Sequence, residues 1–145
     1  MPTSLLALLI ILRSLIRSRI DPKLGIDIGE SSVTKYMPCT NATLRGSYGF
    51  SFNGSQSGLP VAIVGVAIFD GEGNASSTFT ISLNGAGTTG ADAVGTYAVN
   101  PDCTGSATDM TNNLHYPLVI FRHGAEMFVV NTDPGNTFTG DFQKQ

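Results

Sequence analysis

The sequence predicts an all-β fold, an eight-stranded antiparallel up-and-down barrel preceded by an N-terminal amphipathic helix. Three observations carry that reading. Charged residues make up only 13% of the 145-residue chain, about half the usual share in a globular protein. Between residues 44 and 142, apolar and polar residues alternate in short runs, the period of a strand with one buried face. Each run is joined to the next by a short, Gly- or Asn-containing connection, the pattern of a meander, which closes readily at eight strands.

In chain order, residues 1–20 come first. Leu5, Leu8, Leu9, Leu12, Leu15, Ile16 and Ile20 recur at helical spacing, and Arg13, Arg17 and Arg19 follow the apolar run. A secretory signal has the reverse order, charge before the apolar core. The run is also shorter than the roughly 20 apolar residues that span a bilayer. Three readings stay open for this helix: a lid, an interfacial membrane anchor, or a relic of a misassigned start. Residues 21–38, with Pro22, Gly25 and Gly29, read as a linker, and residues 39–145 as the barrel.

The first strand is marked by Leu44, Gly46, Tyr48, Phe50 and Phe52 alternating with small polar residues, and Asn53-Gly54-Ser55 is expected to break it. Val61–Phe69 is a β-branched run apolar on both faces. Asp70-Gly71-Glu72-Gly73-Asn74 turns it into Ala75–Leu83, with hydroxyls on one face. Gly85–Gly90 is expected to be a loop, Ala93–Val99 the fourth strand and Thr104–Thr111 the fifth. Asn100–Ser106 between them reads as a tight corner holding Cys103. Leu114–Arg122 and Ala125–Thr132 are joined by His123-Gly124, which suits a primed turn with Arg122 opposite Ala125. That register puts Tyr116, Leu118, Ile120, Met127 and Val129 on one face, and Val119, Phe121, Glu126, Phe128 and Val130 on the other. After Asp133-Pro134-Gly135-Asn136, Thr137–Phe142 is the last strand. The second, sixth and seventh strands are apolar on both faces, so a helix or a neighbouring subunit is expected to cover part of the outside.

From Tyr36 onward three basic residues stand against eight acidic ones, a net of −5. A body of that charge repels phosphate backbones, which argues against a nucleic-acid partner. Cys39 and Cys103 lie 64 positions apart, unlike a redox or zinc-ribbon motif, leaving a long-range disulfide or two buried thiols. The disulfide is the expectation, and with it a secreted, periplasmic or cell-surface location.

The blocks Leu44–Phe50, Phe69–Asn74, Gly95–Gly105 and Thr132–Gly135 together resemble small secreted bacterial proteins of unassigned function with lipocalin-type or allene-oxide-cyclase-type barrels. The resemblance spans residues 39–142 and implies the barrel rather than an activity. The chain has no tryptophan, so it departs from the Gly-x-Trp motif of true lipocalins.

Catalytic signals are weak. His123 sits at a hairpin tip, whereas His115, beside Tyr116 and near Asp109, is a candidate for the barrel mouth; Glu126 is either a buried acid or a rim residue. The Asp70–Asn74 loop lacks the distant acid of a calcium site, and Gly85–Gly90 lacks the lysine of a phosphate loop, so no metal and no cofactor is expected. The leading expectation is a non-enzymatic extracytoplasmic barrel that binds a small, mostly apolar ligand. Its candidate ligand-binding residues are Tyr48, Phe50, Phe52, Tyr97, His115 and Glu126. The alternative is a surface or filament subunit, with residues 1–20 meeting a second copy or a membrane surface. The third reading is a cofactor-free isomerase or cyclase with His115 or Glu126 as base.

Overall fold

The computed structural model describes residues 37–145. The helix expected over 1–20 and nearly all of the linker lie outside the described residues. Eight strands follow: β1 (Arg45–Gln56), β2 (Leu59–Asp70), β3 (Asn74–Leu83), β4 (Ala86–Val99), β5 (Thr104–Asp109), β6 (Leu114–Phe121), β7 (Glu126–Val130) and β8 (Asn136–Lys144). They close into an antiparallel barrel in sequence order, with β8 returning to pair with β1 from Tyr48↔Lys144 to Gln56↔Asn136. Closure satisfies the backbone groups that an open sheet leaves at its edges.

Two expected breaks are strand. β1 runs through Asn53-Gly54-Ser55, because those residues are paired on both sides, Gly54 with Val61 and with Phe138. Of the expected Gly85–Gly90 loop only Gly85 is turn; Ala86 onward is the start of β4, paired with the end of β3 through Leu83↔Ala86 and Ile81↔Thr88. Glycine and threonine there mark a β-bulge rather than a loop. The register shifts between Phe79 and Ile81, and Gly90 takes the positive φ of 70° that lets β4 absorb the extra residue. β5 stops at Asp109, two residues before the expected end, because the Asp109 carboxylate turns the chain.

The β6–β7 register is the expected one, with Phe121↔Glu126 and Leu118↔Val129. Its turn, Arg122–Gly124, places His123 at φ 56° and Gly124 at φ 90°, the positive values that a primed hairpin requires.

Strand polarity gives the barrel two unlike ends. The β2–β3, β4–β5 and β6–β7 connections lie at one end, and the other four connections, β1–β2 among them, lie at the opposite end. The first end is plugged. A single 3-10 turn, Asn41–Thr43, leads into the fully buried Leu44. The Tyr97 hydroxyl donates to the carbonyls of Leu44 (2.8 Å) and Asn41 (3.2 Å), and the Val99 N–H donates to the Asn41 side chain (2.8 Å). Cys39 is bonded to Cys103 in the β4–β5 corner, and its N–H donates to the Pro101 carbonyl. The disulfide expected from the spacing is therefore formed, and it fixes the plug across 64 residues of chain.

The outside is uneven. β1, β3 and β8 present Ser, Thr and Asn outward, whereas Val64, Val66 and Ile68 on β2 and Val119, Phe121, Phe128 and Val130 on β6 and β7 are exposed. The Phe121 and Phe128 rings meet at 5.0 Å on that surface. No helix among the described residues is long and apolar enough to cross a membrane.

Candidate binding cavity

Inward side chains differ sharply in size around the barrel. On β1 and β8 they are rings: Phe50 stacks on Phe142 (4.9 Å, 23° between planes), and Phe52 meets Phe138 edge to face at 5.9 Å. Tyr116 on β6 adds its ring against Phe52 at 5.6 Å. On β3 and β4 the inward residues that face one another at mid-barrel are small, Ala75 with Gly95 and Ser77 with Ala93, and Ala107 on β5 adds another, while Phe79 and Ile81 on β3 line the cavity closer to the mouth. Rings on one wall cannot reach the alanines on the other, and a cavity of about 320 Å³ remains between them.

Along the small wall, consecutive residues line the cavity, from Ala91 to Thr96 on β4 and from Ala75 to Ser77 on β3. The floor is the plugged end, where Met127 and Phe69 are buried. At the opposite end Gln56, Asp109 and Asn112 line the opening.

Along the small wall the polar lining residues are Ser76, Ser77, Asp92, Thr96 and Thr108, and at the mouth one carboxylate faces the lumen. The Asp109 carboxylate faces inward between Gly95 and Leu114 and accepts the N–H groups of Thr111 (2.9 Å) and Asn112 (3.0 Å) and the Asn112 side-chain amide (2.8 Å). Burial pushes the Tyr116 phenol well above its ordinary value, and the nearby Asp109 carboxylate adds to the shift. The phenol stays a neutral hydrogen-bonding group within the apolar wall.

The six candidate ligand residues divide. Phe50 and Phe52 line the cavity. Tyr48 and Tyr97 point inward but belong to the plug: both are buried, the Tyr48 hydroxyl donates to the Gly124 carbonyl, and Tyr97 holds Leu44. Burial raises both phenols. His115 is on the outer side of β6 at the mouth end, where its Nδ1 is 2.7 Å from the Asp133 carboxylate and its N–H donates to the other oxygen at 2.8 Å. Those two bonds hold Asp133 below the usual carboxylate range. Glu126 also faces outward, 3.5 Å from Arg122. The two residues that would serve as base in an isomerase or cyclase thus both face away from the lumen.

Sequence reasoning missed the small wall. Its signal was present as Ala, Ser or Gly at every second position of Ala75–Ser77, Ala91–Gly95 and Gly105–Ala107. The Asp70–Asn74 loop, considered for calcium, spends its carboxylate internally. Asp70 accepts from the Asn74 side chain (2.7 Å) and from the N–H groups of Glu72 (2.7 Å) and Asn74 (3.0 Å). Among the described residues no group of three or more His, Cys, Asp or Glu side chains is gathered to hold a metal.

No family model matches the chain, and no curated protein does. Among solved structures, a de novo designed fluorescence-activating beta barrel is similar at a TM-score of 0.45 and 13% sequence identity, over 71% of this chain and 94% of that one.

Proposed function

We propose that the protein is a non-enzymatic, extracytoplasmic, lipocalin-like binding protein whose lumen holds one small, mostly apolar molecule. The observation that carries this reading is the cavity itself. At about 320 Å³ it falls at the lower end of known ligand pockets, roughly 300–1,000 Å³, and like them it joins apolar walls to a few polar groups at one end. Phe50, Phe52 and Tyr116 supply the ring contacts, Tyr48 and Tyr97 keep the floor shut, and His115 braces the rim through Asp133. The Cys39–Cys103 bond favours an oxidising, extracytoplasmic setting.

The test is a fluorescence titration of the full chain with N-phenyl-naphthylamine, an uncharged probe that brightens in apolar surroundings. Saturable binding of one probe per barrel is expected. Emission that rises without saturation, or not at all, contradicts the reading.

A second reading is favoured by a separate observation, the exposed Val119, Phe121, Phe128 and Val130 on adjacent strands. Contiguous apolar surface of this kind commonly marks an interface, and it supports an assembly subunit that buries β6 and β7 against another copy. Light scattering coupled to size exclusion checks it: the full chain should be oligomeric and the Phe121→Ser, Phe128→Ser variant monomeric. A monomeric wild type removes this reading and leaves the first untouched.

A further inference from the structure

Basic charge is confined to one end of the barrel, whereas acidic residues occur at both. Among the described residues the basic side chains are Arg45, the first residue of β1, Arg122, in the β6–β7 turn, and Lys144, the last residue of β8. All three belong to the plugged end. None lines the cavity. The mouth end carries Asp109, whose side chain faces the lumen, and Asp133 at the rim. Gln56 and Asn112 at the opening are uncharged, and Asp92 on β4, which also borders the cavity, is on the outward side of its strand, accepting from the Thr78 hydroxyl at 2.7 Å.

Binding an anion in such a lumen would require a cation or a cluster of free N–H donors to replace its hydration. The N–H groups nearest the mouth are already donated to Asp109 by Thr111 and Asn112. A carboxylate or sulfonate entering the cavity would meet the Asp109 charge at the opening, where water and salt screen the repulsion only in part. An uncharged molecule meets no such repulsion, and a hydroxyl or amine at its outer end finds acceptors in the Asp109 oxygens and in Gln56.

We infer that the cavity selects uncharged or cationic apolar molecules and excludes apolar anions, with Asp109 at the mouth as the residue that sets this preference. This rests on the binding reading above and adds the chemical class of the ligand. It predicts that the barrel does not carry fatty-acid-like carboxylates.

Two probes sharing the same rings make the test: uncharged N-phenyl-naphthylamine and anionic anilinonaphthalene sulfonate, titrated into the full chain at low salt. The sulfonate should bind at least about tenfold more weakly, the scale of one like-charge repulsion at partly screened distance. Asp109→Asn, which keeps the side-chain oxygen that receives the loop's N–H groups, should narrow that gap to less than about threefold. Raising the salt concentration on the wild-type protein should narrow it as well, since screening weakens charge repulsion; this arm does not depend on the variant folding. Equal binding of the two probes to the wild type overturns the inference while leaving the cavity's role intact. So does a gap that neither Asp109→Asn nor salt narrows, because the sulfonate would then be excluded by size. If the uncharged probe itself fails to saturate, the binding reading falls and the inference with it.

Discussion

Asp70 ends β2, and its carboxylate closes the turn behind it by accepting the Asn74 side-chain amide and two backbone N–H groups. Those bonds favour the ionised form and lower its pKa to about 2. Asp102, bonded to the Thr104 hydroxyl and N–H, and Asp133, bonded to His115, are lowered for the same reason. The linkage has a definite sign. A carboxylate held below its unfolded value contributes stability that is complete above that value, about pH 4, and is lost as pH falls toward 2. Melting temperature is therefore expected to fall steeply over that window, and Asp70→Asn to lower it at neutral pH while shallowing the acid decline. Parallel curves for the two proteins would show that Asp70 has no such role. Parity along β6 also decides what could be read at this scale. Once Tyr116, Leu118 and Ile120 face inward, His115 must face outward, and the sequence register already implied it. The pairing with Asp133 was not legible, because it joins residues on either side of a hairpin and depends on the geometry of the following turn.

Among the elements, the plug does the most to turn a meander into a vessel with one floor. Leu44 and Tyr48 are fully buried at that end, and the 3-10 turn before them is held from β4 by Tyr97 and Val99. Cys39 anchors the start of this segment to the β4–β5 corner. Cross-linking a loop of 64 residues is worth about 4 kcal/mol in the chain-entropy model. Replacing both cysteines by serine should thus destabilise the protein by about that amount in urea denaturation, with the larger share of newly exchanging amides in residues 39–44. A loss spread evenly over all eight strands would contradict the anchoring role. The strands themselves were legible from alternation and β-branching, and the β6–β7 register from a two-residue turn. The Gly85–Gly90 segment was not. Its composition is that of a loop, and only the long-range pairing with β3 across a bulge makes it strand from Ala86 onward.

For the molecule as a whole, closure and meander order were legible in the spacing of the turns, while the cavity was not. A cavity is set by the difference between facing walls, and facing walls are known only when the strands have been arranged around the barrel. Rings at Phe50, Phe52 and Phe142 look like ordinary core until Ala75, Ala93 and Ala107 are found opposite them. The Val and Phe residues on the second face of β2, β6 and β7 are exposed once the barrel closes.

If a ligand occupies the space between these walls, as proposed, filling that space must displace it. Ala93 is buried, points into the cavity and stands on the small wall. Ala93→Phe places a ring where there is room for one, so circular dichroism should show the barrel intact and a melting temperature equal to or above that of the wild type, in contrast to the usual cost of enlarging a filled core. The measurement is the N-phenyl-naphthylamine titration repeated on this variant. Binding should weaken by at least about tenfold, roughly 1.4 kcal/mol, with the fold unchanged. Undiminished binding by a folded Ala93→Phe barrel would place the probe on the outer apolar strands and contradict the account.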